Sequence, residues 1–296
     1  MKRKVLSLFL VVAMVLSLGI TVSAAEPADD LSGAVVILHT NDVHGAIDGY
    51  AKAAALKKTY EDMGAYVLLM DAGDFSQGDP TVSASQGATA VELMNLAGYD
   101  LAAPGNHEFD YGYQNLSTLA GEAEFPIVAA NVLYNGKTAF EDNVTFTAPD
   151  GTKIGVFGLD TPETATKAHP AKIQGVTFLS GDELVECAQE QVDALEAEGC
   201  DVVVCLGHLG IDEESTGNRS VDLLEKVDGI DLFIDGHSHS TMSDIAALTG
   251  EDCMVGDTIV TSTGTKFENI GLVVIADGQL EATLIPTADI TVTPDK

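Results

Sequence analysis

Leu232-Phe233-Ile234-Asp235-Gly236-His237-Ser238-His239 passes from a short apolar run to a glycine and two histidines within a few residues. The run has the length of a buried strand, and the polar residues follow at its C-terminal end. The same change occurs upstream, where the apolar residues 202–206 give way to Gly207-His208. Open α/β sheets collect their binding residues beyond the C-terminal ends of the strands, so segments far apart in sequence can meet there. Both stretches therefore call for a layered α/β domain.

Outward from them, apolar runs of strand length alternate with helix-period segments through most of the chain. Strands are expected at residues 35–38, 65–70, 101–103, 126–132, 201–206, 232–234 and 258–262. Helices are expected at 53–63, 89–97, 113–120, 182–198 and 221–227. Two antiparallel hairpins interrupt this rhythm. One pairs 144–147 with 153–159 around Pro149, Asp150 and Gly151, and the other pairs 270–276 with 279–285 through Asp277-Gly278. Residues 287–296 read as a tail.

At 296 residues with 46% hydrophobic and 20% charged side chains, the chain has the usage of a folded globular protein, which excludes a disordered or fibrous one. Lys2, Arg3 and Lys4, the apolar run 5–22 and then Ser23-Ala24-Ala25 form a secretory leader over residues 1–24. A secreted protein, extracellular or periplasmic and free of the membrane after cleavage, is expected. The formal charge of −32 disfavours nucleic acid as a partner, because phosphate backbones are bound through Lys and Arg. A small anionic substrate stays possible where bound cations reverse the local field. Cys187, Cys200, Cys205 and Cys253 lack zinc-finger or CxxC spacing; one disulfide is permitted.

Five of the seven histidines fall just after expected strands. Asp42-Val43-His44 follows the first, and an i, i+2 spacing on extended chain points both side chains to one side. Gly73-Asp74 follows the second, where a carboxylate can bridge two metals, with Asp71 and Asp79 as rivals for that role. Gly105-Asn106-His107-Glu108-Phe109-Asp110 follows the third. There Asn106 offers a neutral oxygen or a helix cap, and the spacing of His107 and Asp110 suits an imidazole kept protonated by a carboxylate. His208, with His237 and His239, supplies the remaining imidazoles, while His39 falls within a strand and reads as a core histidine. Nitrogen and oxygen donors without thiolates suit two divalent ions, Zn, Mn or Fe rather than Ca.

These segments, together with His39-Thr40-Asn41-Asp42-Val43-His44-Gly45 and the Thr161-Pro162-Glu163 of residues 158–163, resemble the calcineurin-like metallophosphatases, and closely their 5′-nucleotidase branch. The similarity runs over about residues 35–285, within a catalytic domain set at 33–286. It implies the metallo-dependent phosphatase fold, a four-layer α/β/β/α sandwich of two mixed sheets. It also implies that Asp42, His44, Asp74 and His239 hold one metal, with Asp74 bridging to a second held by Asn106, His208 and His237. His107, oriented by Asp110, then stabilises the transition state or protonates the leaving oxygen. The activity implied is hydrolysis of nucleoside 5′-monophosphates or related small phosphoesters by a metal-bridging hydroxide, in nucleotide catabolism. Cyclic-nucleotide phosphodiesterase or UDP-sugar or dinucleotide pyrophosphatase activity is a sibling expectation, and a non-catalytic metal-binding surface protein is the rival of another class. Family nucleotidases carry a C-terminal substrate-binding domain; the sequence stops at Lys296, so that domain is expected to be absent or separate, and the substrate-binding residues are unassigned.

Overall fold

Val35, Val36, Ile37 and Leu38 are all buried, which a strand achieves only when both of its faces are covered. Their side chains alternate between two cores. Val36 and Leu38 join one apolar cluster, whereas Val35 and Ile37 join another. The computed structural model describes residues 30–250 and 252–292. The leader expected over 1–24 lies outside them. Among the described residues no helix is long and apolar enough to cross a membrane.

The chain runs β1 (Val35–Thr40), α1 (Tyr50–Asp62), β2 (Tyr66–Asp71), α2 (Pro80–Ala84), α3 (Ala88–Ala97), β3 (Leu101–Ala102) and α4 (Tyr113–Glu122). It continues through β4 (Val132–Tyr134), β5 (Lys137–Thr138), β6 (Asn143–Thr147), β7 (Lys153–Asp160), α5 (Thr164–Lys167), β8 (Val176–Phe178), α6 (Asp182–Ala197) and β9 (Val202–His208). It ends with α7 (Ser220–Leu224), β10 (Leu232–Ile234), α8 (Met242–Thr249), β11 (Met254–Val255), β12 (Thr258–Thr261), β13 (Asn269–Ala276) and β14 (Gln279–Pro286).

Two mixed sheets face each other, one ordered β14-β13-β1-β2-β3 and the other β11-β12-β10-β9-β7-β6. Ile37, Leu68 and Val273 of the first pack with Val204, Leu206 and Ile234 of the second. The outer face of the first sheet is covered by helices, with Leu56, Met94 and Leu116 against Val36 and Leu69. The outer face of the second is covered by Leu184, Val192, Leu195 and Ile245 against Val203, Cys205 and Phe233. The four layers of an α/β/β/α sandwich result, as the resemblance implies. Both expected hairpins form, β6 with β7 and β13 with β14.

Two expectations are corrected. Residues 126–132 are not one strand. Ile127 and Val128 make isolated bridges only, and β4 starts at Val132. Between them the Asn131 side chain exchanges two hydrogen bonds with the Asp160 backbone, at 2.7 and 2.9 Å, and replaces the ladder. The tail expected over 287–296 begins too early, since Thr287 donates to the Phe267 carbonyl and Ile290 is buried in the core. The disulfide that the sequence left open is not formed: all four cysteines are free thiols.

Candidate metal centre

Strands β1, β2, β3, β9 and β10 end along one rim, and the loops beyond them bring together most of the residues singled out in the sequence. The local backbone is unusual. Asp42, His44, Asp74, His237 and His239 all have φ between 47° and 74°, a left-handed region that non-glycine residues seldom occupy. Such conformations persist where surrounding contacts hold them and tend to mark functional sites. Here the Asp42 N–H donates to the Gly73 carbonyl and the His44 N–H to the Asp74 carbonyl, each at 2.9 Å, so the two loops brace each other. The extended i, i+2 reading of Asp42-Val43-His44 is thereby corrected, and His237-Ser238-His239 is not extended either. His237 and His239 diverge, one ring lying 5.2 Å from that of His208 and the other 4.9 Å from that of His44.

The donor atoms crowd together. His44 Nε2 and His239 Nε2 are 2.9 Å apart, and the latter is 3.5 Å from Asp42 Oδ1. His44 Nε2 lies 3.8 Å from Asp42 Oδ1 and from Asp74 Oδ2. His208 Nε2 stands 3.3 Å from Asp74 Oδ2 and 3.9 Å from Asp42 Oδ1. Asp42, His44 and His239 form one group with metal-binding spacing, and Asp42, Asp74 and His208 form another. Asp74 therefore lies between imidazoles on two sides. Asp71 and Asp79 do not compete with it. Asp71 accepts from Thr40 and Gly73 beneath the loop, and Asp79 caps α2 through the Thr81 N–H.

His208 shows whether a cation fits. Its Nδ1 donates to the Ala72 carbonyl at 2.6 Å, which leaves Nε2 facing the two carboxylates. That nitrogen is fully buried and makes no well-formed hydrogen bond, its nearest polar neighbour being Asp74 Oδ2 at 3.3 Å. Buried polar atoms are seldom left so, and a metal ion between Nε2 and the carboxylates would satisfy all of them at once. Gly105 leaves room for this, since a Cβ there would lie 2.3 Å from Asp74 Oδ1 and 2.6 Å from His208 Nε2. Burial raises the Asp42 pKa to about 7, and burial lowers those of His44 and His237 to about 4. Neutral imidazoles of this kind have the lone pair a metal needs.

Asn106 is buried one residue beyond Gly105, and the neighbouring His107 N–H donates to Asp74 Oδ1 at 2.9 Å. His107 Nδ1 is 2.7 Å from Asp110 Oδ2, and that hydrogen bond raises its pKa. The ring meets His44 edge-on at 5.4 Å, at the half-exposed mouth of the centre. His39 is the hydrogen-bonded core histidine that the sequence suggested. It crosses between the sheets to Thr261 at 3.1 Å, and burial lowers its pKa to about 3.

Three supporting carboxylates were given no role from the sequence, although Glu108 and Glu163 fall within motifs that it singled out. Glu108 accepts the N–H groups of Asp74, Phe75, Ser76 and Gly105 at 2.6–3.0 Å and ties two loops together. Asp235 does the same for the other sheet, accepting from Leu209, Gly210 and Gly236 and from the Ser220 hydroxyl. Glu163 lies against His237. A buried acid directly after an apolar strand was the available signal for Asp235. For Glu108 the sequence shows only an acid at a helix start, which the helix dipole explains equally well.

A two-sheet sandwich with imidazoles and carboxylates gathered at one rim defines a metal-binding class of α/β domain. Residues 35–241 match the family model of the calcineurin-like phosphoesterases, and the chain belongs to that family. It is similar to the trifunctional nucleotide phosphoesterase protein YfkN of Bacillus subtilis, 32% identical over an alignment of 265 residues that covers 78% of this chain and 17% of that protein. Human 5′-nucleotidase is 30% identical over an alignment of 250 residues that covers 77% of this chain and 41% of that protein. The chain thus spans less than half the length of either relative. Its fold is similar to the crystal structure of calcineurin-like phosphoesterase YfkN from Bacillus subtilis, with TM-score 0.73, 26% identity, and 88% and 92% of the two chains covered. It is also similar to a 5′-nucleotidase precursor from Thermus thermophilus, with TM-score 0.69, 25% identity, and 87% and 55% covered.

Proposed function

We propose that this chain is the catalytic domain, residues 33–286, of an exported two-metal phosphoesterase that hydrolyses nucleoside 5′-monophosphates or related small phosphoesters. The observation that carries the reading is the fully buried Nε2 of His208 set 3.3 Å from Asp74 and 3.9 Å from Asp42, facing both carboxylates without a well-formed hydrogen bond. Asp42, His44, Asp74 and His239 hold one ion, and Asn106, His208 and His237 hold the other, with Asp74 between them. Bound divalent ions, Zn, Mn or Fe by donor type, supply the charge that activates water and neutralises phosphoryl oxygens. The protein's own residues do the rest. Asp110 holds the His107 ring by Nδ1 and raises its pKa, which leaves the opposite nitrogen to donate to a phosphoryl or leaving-group oxygen. The backbone N–H of His107, fixed on Asp74, sets that ring beside the centre. The leader motif at residues 1–24 supports action outside the cytoplasm.

The relatives named for nucleotide substrates support the substrate class. A panel of AMP, cyclic 2′,3′-AMP, UDP-glucose and an aryl phosphate, measured with each divalent ion in turn, tests it. Preference for AMP is expected. A flat profile would remove nucleotide specificity, and no turnover with any ion would leave a metal-binding protein without catalysis.

A further inference from the structure

The Thr161-Pro162-Glu163 motif lies beyond β7, at the same rim as the metal centre but outside the donor set. Its place is fixed from below. Asp160, the last residue of β7, pairs in register with His208 of β9 and accepts the Thr164 hydroxyl at 2.9 Å, which sets the start of α5. Glu163 is thereby held over the His237 loop, mostly buried, with Oε2 2.9 Å from His237 Nε2. Lys167, one helical turn on, lies 3.0 Å from the same oxygen and 3.4 Å from the ring nitrogen. A carboxylate can only accept, so the shorter of the two contacts to that ring nitrogen requires the imidazole proton to be on Nε2. Nδ1 then carries the lone pair.

We propose that Glu163 is a positioning residue for the second metal ion, fixing the His237 ring and its tautomer so that Nδ1 is the ligating nitrogen. The assignment rests on the two-metal reading above. Asp42 completes the placement by accepting the His237 N–H at 3.0 and 3.2 Å, so one acid fixes the backbone of this residue and another fixes its ring. The arrangement mirrors that of His208, whose far nitrogen is held by a backbone carbonyl and whose near nitrogen is Nε2. The loop has left-handed backbone at His237 and sets this ring beside His208, while that of His239 lies beside His44. Outer partners of this kind typically contribute roughly 10–100-fold to metal affinity.

Calorimetric titration of metal-free protein with Mn²⁺ tests the assignment. Wild type is expected to bind two ions, and His237→Ala one. Glu163→Ala is expected to keep the first affinity and the melting temperature of the metal-free chain while weakening the second site roughly 10–100-fold. Glu163→Gln keeps an acceptor without the charge and should fall between. Wild-type affinity at both sites in folded Glu163→Ala overturns the proposal; should that variant not fold, unchanged affinity in Glu163→Gln does so. Equal weakening of both sites with a lower melting temperature would mean a structural role only. If wild type bound no ion, or His237→Ala still bound two, the reading of the centre itself would be the one that failed.

Discussion

His107 and His208 carry the same side chain, yet their neighbours prepare them for different work. A carboxylate 2.7 Å from His107 favours the charged ring, while a carbonyl 2.6 Å from His208 fixes which nitrogen turns inward. His107 is half-exposed at the mouth and His208 is sealed beneath it. Loss of each should therefore read out differently. His107→Ala is expected to cut turnover roughly a hundredfold, as removal of a general acid does, while metal content measured by mass spectrometry stays near two ions. Metal lost together with activity would move His107 into the donor set. Gly105→Ala tests the centre from the opposite side. Its Cβ would press on Asp74 Oδ1 and His208 Nε2, so the variant should fold but bind Mn²⁺ at least tenfold more weakly in calorimetry. Wild-type affinity would show that these atoms have room to spare.

At the scale of loops and strands, the centre depends on groups that touch no candidate ion. Glu108 joins the turn after β2 to the turn after β3 through four backbone N–H groups. Glu108→Ala would leave these donors buried and unpaired, which should lower the unfolding free energy by roughly 3–5 kcal/mol. Urea denaturation measures it, and a loss under about 1 kcal/mol would mean that water replaces the carboxylate. This clamp also marks where sequence reading reaches its limit. Strands β9 and β10, both hairpins and the histidines beyond the strands were legible because periodicity and Gly-His junctions are local signals. Only the resemblance chose Asp74 over Asp71 and Asp79, since the bracing of two loops decides which acid faces inward. The left-handed φ of Asp42, His44 and His237 was hidden for the same reason: contacts between loops impose it. Helix α8, by contrast, was overlooked although Thr241 and Asp244 form a capping box that the sequence displays. Asn131 took the place of an expected ladder by bonding Asp160, a residue far along the chain.

Across the whole molecule, the two sheets meet over an apolar core and finish in a cluster of buried acids. Asp42, Asp71, Asp74, Glu108, Asp160 and Asp235 are each at most 2% exposed. Asp42 and Asp74 come from loops of the first sheet, and His208, His237 and His239 come from the end of the second. An ion shared among them would join the two sheets at the end where the acids of one face the imidazoles of the other. The apolar contacts of Ile37, Leu68, Val204 and Ile234 remain whether or not metal is present, so the chelated chain should keep its far-ultraviolet circular dichroism. Its stability should nevertheless depend on metal by mass action. Free ion at a hundred times the dissociation constant contributes about 2.7 kcal/mol per site, which for a domain of this size is a rise in melting temperature of roughly 5–10 °C. Melting curves in EDTA and in excess Mn²⁺ give the difference directly. Asp74→Asn, which removes the charge between the two groups of donors, should abolish most of that shift. Equal melting temperatures with and without metal in the wild type would mean that no ion joins the sheets.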